Sequence, residues 1–382
     1  MKNSYNISIV IGGICVLSLA MGISRFGFTP IIPLMQRDIG VSEWNIAVMA
    51  ATNYLGYLLG AYISRKQWVR SHLRVCLGGG IVASVILLVA MPLTLNNLLW
   101  ALLRLFSGFF SAILFVVASS IALGQGRSDQ AGYLYSGVGI GIAFTGIFVP
   151  LFDCLGGWTF SWQGLALGAS LFGIAAWYTL SKVTYSEARG TGQSQSRNCF
   201  TRDYQWYALL LSYGLEGIGY IITATFIVQM IKSMPELSHI ANQSWVLIGL
   251  AAAPSTYLWA QIAKKTNIKV SLMLAFGIQA IGILLPVILH NQLSALAGGA
   301  LFGGTFMGIT SLAITLAHEL QPNAQMQALG ELTTIYALGQ IIGPIVAAYL
   351  QSHFNILAPS IFAVVVLMLA LLVLMTLRIK KK

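Results

Sequence analysis

From near residue 8 to near residue 379 the chain is a succession of apolar runs separated by short polar breaks. Each run approaches or exceeds the roughly 20 residues that a helix needs to cross a bilayer. Such a chain suits lipid as its solvent. Only 8% of its residues are charged, against about 25% in an ordinary soluble domain, and 57% are hydrophobic, which excludes a soluble enzyme. A span and its loop take about 25 to 35 residues, so 382 residues leave no room for a nucleotide-binding module. The pattern predicts an all-α membrane protein of twelve transmembrane helices, near 8–35, 44–63, 75–95, 98–123, 131–152, 160–181, 206–231, 243–262, 269–289, 294–317, 327–349 and 356–379.

The net charge of +11 fits this map, and nucleic acid is excluded as a partner by where the charge lies. With both termini on the cytoplasmic side, the opposite side holds only Arg37 and Lys232, and Arg25 and Arg104 fall inside spans. All the other lysines and arginines are cytoplasmic, as the positive-inside rule requires. The N-terminal apolar run is too long for a signal peptide and is read as the first span. Cys15, Cys76, Cys154 and Cys199 are isolated, so neither a disulfide nor a metal site is expected. Gly137, Gly139 and Gly141 mimic a nucleotide loop, but with no strand before them they are read as close helix packing.

Matching features recur about 200 residues apart. Gly60, Ser64, Arg65 and Lys66 form a short basic turn after span two; Ala260, Lys264, Lys265 and Lys269 form another after span eight. Arg104 and Gly108 in span four match Gly304 and Gly308 in span ten, and Gly137 and Gly141 in span five match Gly339, Gly343 and Pro344 in span eleven. Two six-helix bundles follow, 1–181 and 206–382, joined by a polar cytoplasmic linker over 182–205.

These features resemble the major facilitator superfamily of secondary transporters over nearly the whole chain. Gly60 and Arg65 fit its span-two turn, although Ser64 stands where the family has Asp and Lys264 occupies the equivalent place in the second half. The resemblance makes Gly60, Arg65, Lys264 and Lys265 the cytoplasmic gate. Arg104 with Gly108 resembles the span-four motif whose arginine is linked to proton transfer. The antiporter motif of span five is incomplete, since Ile142 follows Gly141; its pattern appears in span eleven as Gly339, Gln340, Gly343 and Pro344. The strings GISRFGFTPIIPLM from Gly22, NYLGYLLGAY from Asn53, YGLEGIGYIITATF from Tyr213 and ALGQIIGP from Ala337 are similar to the YbfB/YjiJ-type bacterial inner-membrane subfamily. The implied location is the bacterial inner membrane.

Ionisable residues inside a bilayer demand a partner or a function. At 1.5 Å per residue, Glu216 lies about 15 Å into span seven, near the midplane, while Arg25 lies about 25 Å along span one. The resemblance implies that spans one, four, seven and ten line a central cavity, so Glu216, Arg25 and Arg104 face the substrate path. Glu216 and Arg104 are the proton-coupling candidates, because a buried carboxylate can take up and release a proton as the cavity opens to each side. The competing reading pairs Glu216 with Arg25, Tyr213 or Tyr220 and fixes how the halves meet. Arg25, Asn53, Tyr220 and Gln340 are the substrate-cavity candidates, and two arginines against one carboxylate favour an anionic or zwitterionic solute. Gly108, Gly137, Gly141, Gly339 and Gly343 place small residues on helix faces for close packing, and Pro344 bends its span. Asp38, Glu43 and Glu236 are read as solvated charges of the outer loops, and Asp153 as a gate partner.

The expected function is alternating-access secondary transport of a small solute by proton-coupled efflux, in a monomer without cofactors. The alternatives are a symporter or facilitative importer of an organic anion or zwitterion, and a non-transporting sensor that keeps the fold. An intramembrane enzyme is disfavoured because every histidine falls in a loop or at a span end.

Overall fold

The computed structural model describes residues 2–123, 131–181, 200 and 202–377. Most of the expected linker, the loop holding Arg127, and Cys199 lie outside them. Every long element is a helix, as a bilayer requires of any chain that cannot close a barrel.

The first span is built in two pieces, α1 (Lys2–Leu17) running into a π-helical turn (Ser18–Ile23) and α2 (Phe28–Ile39). There follow α3 (Glu43–Ile63), the short α4 (Gln67–Ser71), α5 (Leu73–Ala90) and α6 (Asn97–Leu123). The second half holds α8 (Tyr204–Ser233), α9 (Ala241–Lys265), α10 (Ile268–Leu289), α11 (Gln292–Leu320), α12 (Gln325–His353) and α13 (Ala358–Met375).

The first half ends with α7 (Ala131–Leu180), whose 50 residues would stretch about 75 Å as one helix, far more than a bilayer core of about 30 Å. It turns back at Gly156 and Gly157, where Gly157 takes φ 66°, a conformation that disfavours any side chain. The next amide, Trp158 N, donates to Asp38 Oδ2 at 3.0 Å, so an aspartate 120 residues away caps the returning helix. Spans five and six are therefore 131–155 and 158–180, and the chain crosses twelve times. Local caps start other helices: Ser42 accepts from Asn45 N, Asp203 from Trp206 N and Asn267 from Val270 N.

The alternating directions put the turns after α3 and α9, with their lysines and arginines, at one end of the bundle, called here the basic end. Within each half the same pairs pack: α3 on α6 and α1 on α7 in the first, α9 on α11 and α8 on α12 in the second. Glycines make these approaches possible. A Cβ on Gly56 would strike Leu105 O, one on Gly60 Phe109 O, and one on Gly108 Asn53 O. In the second half Gly303 meets Ile248 O and Gly308 the Trp259 ring. Gly137 and Gly141 lie against Ile14 O and Ser18 O, and their counterparts Gly339 and Gly343 against Gly214 O and the Ile221 side chain.

The halves meet along α7 with α9, α3 with α12 and α2 with α8. On the first seam Gly139 and Gly249 face each other's carbonyls, so the glycine triplet of span five serves two neighbours, Gly137 and Gly141 towards α1 and Gly139 towards the other half.

Replacing Gly108 by valine should overpack the α3–α6 contact and cost about 1–3 kcal/mol. Gly277→Ala, where an added Cβ meets nothing within 4 Å, should be neutral or stabilising. Thermal unfolding of the two variants in detergent checks the contrast.

Candidate functional site

The centre of the molecule is organised by the break in span one. Its π-helical turn bonds Ser24 N to Leu19 O and Phe26 N to Met21 O, and Thr29 N then donates to Phe26 O. Proline at position 30 has no N–H to continue the ladder. The carbonyls of Ser24 and Arg25 are served instead from span four: Arg104 Nη1 donates to Ser24 O at 2.9 Å, Arg104 Nη2 to Arg25 O at 3.1 Å, and Ser107 Oγ to Ser24 O at 3.1 Å. The Arg104 guanidinium also lies over the Phe28 ring, 4.7 Å from its centre. Arg104 thus straps the broken backbone. Asn53 is fully buried between spans two and four, where its amide donates to Arg104 O at 2.9 Å.

The same break turns the Arg25 side chain onto the rings of Tyr57, Tyr54 and Phe26, at 4.3, 4.7 and 5.4 Å from their centres. Arg25 Nη2 donates to Gln340 Oε1 at 2.8 Å, a bond that joins span one to span eleven and so crosses the halves. Its Nε has no hydrogen-bond partner although the residue is only 4% exposed.

Beside this pair stands a column of rings from the second half. Tyr213 stacks on Tyr336 at 4.3 Å between centroids, Tyr336 on Tyr220 at 6.1 Å, and Tyr220 on Phe306 at 5.2 Å and Phe302 at 6.0 Å. Phe26 meets Phe306 edge-on at 6.4 Å, which closes the column against span one.

Glu216, wholly buried, sits beside the column, with the Tyr336 hydroxyl close by. Its Oε1 accepts from Gln279 Nε2 at 3.4 Å, and its Oε2 has no hydrogen-bond partner. The ion pairs among the described residues are Arg37 with Asp38 and Asp153, and Arg202 with Glu331; none includes Glu216. Gln279 is a site residue beyond those expected from the sequence, and its signal there is a glutamine in the middle of an otherwise apolar span.

Two clusters lie at the ends. At the basic end the Arg65 guanidinium packs on Gly330 of span eleven, and a groove of about 400 Å³ opens between Arg65, Leu210 and the Gln327–Leu338 face. Gly60 is buried in the α3–α6 contact, whereas Lys264 and Lys265 are exposed. Glu331 accepts from Arg202 at 2.7 Å and from Trp206 Nε1 at 3.0 Å. Arg202, which precedes the span, is held in its charged form more firmly than usual by the Glu331 carboxylate.

At the opposite end Glu43 is more than a solvated loop charge. It accepts from Gln36 Nε2 at 2.7 Å and from Gln229 Nε2 at 2.8 and 2.9 Å, the latter across the halves. Thr29 Oγ1 adds a second crossing bond, to Ala224 O at 2.7 Å. Asp153 instead pairs with Arg37 inside the first half.

Comparison with known proteins places this architecture. A family model described as "Uncharacterised MFS-type transporter YbfB" matches residues 17–375. No curated protein sequence matches the chain. Among solved structures, a mutant of the nucleoside transporter NupG superposes with a TM-score of 0.78 at 13% identity, over 98% of this chain and 99% of that one. NupG itself gives 0.73 at 14% identity over 98% and 100%. A bacterial homolog of the human lysosomal transporter Spinster, inward-facing and unoccupied, gives 0.70 at 13% identity over 99% of both chains. At these identities the likeness shows the fold.

Removing the strap tests its weight. Arg104→Leu leaves Arg25 O without its donor and Ser24 O with Ser107 alone, at about 1–3 kcal/mol for the orphaned carbonyl, and should lower the unfolding temperature. Arg104→Lys should recover part of the loss, because a lysine offers donors without the planar fork.

Proposed function

The chain belongs to the major facilitator superfamily, in its YbfB-type family of transporters, and from this premise we propose that it is a proton-coupled secondary transporter that exports a small solute. The observation that carries the reading is Glu216: a carboxylate out of contact with water, in no ion pair among the described residues, whose neighbours are the neutral Gln279 amide at 3.4 Å and the Tyr336 hydroxyl. Such a group holds or yields a proton according to which side admits water. An ion-paired structural glutamate would have a guanidinium or ammonium beside it.

Residues 1–181 and 206–382 act as the two rocking bodies, with 182–205 as their tether. The basic end faces the cytoplasm, both termini included, in a bacterial inner membrane, and the protein works as a monomer. Arg104 acts in coupling by tying span four to the break in span one, so that a change at one is felt by the other. Antiport is supported by Arg104 and Gly108 in span four; Ile142 after Gly141 in span five favours symport as the second reading.

In inside-out vesicles with a respiration-driven pH gradient, a pool containing the substrate should discharge the gradient with the wild type and not with Glu216→Gln. Equal discharge by both proteins removes Glu216 from the coupling step. For orientation, Glu236→Cys should react with a membrane-impermeant maleimide in whole cells and Lys265→Cys should not, both in a background without the native cysteines. The reverse labelling inverts the topology.

A further inference from the structure

Arg25 is a buried cation whose hydrogen-bonding partner is neutral. Its guanidinium has three aromatic faces around it, the Gln340 amide oxygen at 2.8 Å, the Met21 sulfur at 4.0 Å, and an Nε that bonds to nothing. Glu216 does not supply the counter-charge, since it takes no part in the described ion pairs and bonds to Gln279 on α10. Arg104, the other central cation, is committed to two backbone carbonyls. A guanidinium in this setting lacks what it binds best, a planar anion matching its fork of donors.

The surroundings define the rest of the ligand. Tyr54, Tyr57 and Phe26 come from the first half, and Tyr220, Tyr336 and Phe306 from the second. Gln340 lies one helical turn from Tyr336 on the same span. A ring attached to an anion at Arg25 would therefore have to part these two sets of rings, which touch at Phe26 and Phe306, and would lie between aromatic faces, where offset stacking adds to the burial of its surface. One uncommitted cation serves one carboxylate, and a second carboxylate between the rings would be left without a counter-charge.

We infer that the Arg25 site binds an aromatic monocarboxylate, whose carboxylate displaces Gln340 from Arg25 while its ring inserts between the aromatic side chains of the two halves. This names the substrate class for the transport reading above and rests on it. The displacement also gives binding a mechanical consequence. Arg25–Gln340 joins the two halves, and a ligand that replaces the neutral amide with a stronger, charge-assisted contact releases one of the bonds holding them together.

The test is ligand-dependent thermal unfolding of the purified full-length protein in detergent. Benzoate should raise the unfolding temperature saturably, benzamide should not, and cyclohexanecarboxylate should need at least about tenfold more ligand for the same shift. Arg25→Gln should abolish the benzoate response. Gln340→Ala, which removes the competing acceptor and leaves Arg25 in place, should bind benzoate about tenfold more tightly. The inference is overturned if benzamide stabilises as well as benzoate, if benzoate gives no shift with the wild type, or if Gln340→Ala weakens the response. Equal potency of cyclohexanecarboxylate overturns the aromatic assignment. No gradient enters the measurement, so its outcome is independent of whether Glu216 couples protons.

Discussion

A backbone carbonyl inside a bilayer has no water to fall back on, and the break in span one exposes two of them. The bonds from Arg104 to Ser24 O and Arg25 O let a transmembrane helix be interrupted within the bilayer-spanning bundle. Much of the site follows from that interruption. It turns Arg25 out of the helix and onto the rings of span two, and brings its fork within reach of Gln340 in the opposite half. A cation placed in span four to satisfy span one also leaves the centre with more positive than negative charge. That imbalance is what an anionic ligand would correct.

Close packing has a different chemistry. Between helices surrounded by lipid there is little hydrophobic force to draw them together, and contact depends on backbones approaching closely. Gly56, Gly108 and Gly303 let carbonyls of one helix rest on the Cα atoms of another within each half, and Gly308 makes room for the Trp259 ring. The same device reappears between the halves at Gly139 and Gly249. At that glycine pair backbone meets backbone, while the Tyr133–Tyr257 stack and the Trp245–Thr145 bond hold the same seam on either side of it.

The spans were legible because lipid imposes one length and one composition on every crossing. The doubled architecture was legible because Arg104 and Gly108 have Gly304 and Gly308 about 200 residues on, and the matching helix pairs do pack alike. Glu216, Arg25 and Gln340 stood out as polar residues in apolar runs. Their partners were hidden. Nothing local joins Glu216 to Gln279, Asp38 to the amide of Trp158, or Glu43 to Gln229, since each bond links spans that only the fold brings together. Reading Glu43 as a solvated charge failed for that reason; Asp38 is exposed as expected but also caps a distant helix, and the basic turn at Lys264 and Lys265, which needs no partner, lies exposed.

The bonds that cross the halves differ in kind along the molecule. Away from the basic end they are polar: Glu43 with Gln229, Thr29 with Ala224 O, Trp245 Nε1 with Thr145 Oγ1, and Arg25 with Gln340 near the centre. Each is worth about 0.5–3 kcal/mol net, small enough to be broken by a ligand that offers better contacts and strong enough together to hold that end shut without one. A seam of interlocked large side chains would cost far more to part. Closure by a handful of replaceable hydrogen bonds, over a glycine-lined contact at Gly139 and Gly249, lets the differential affinity of one small solute shift the balance between two arrangements of the same helices.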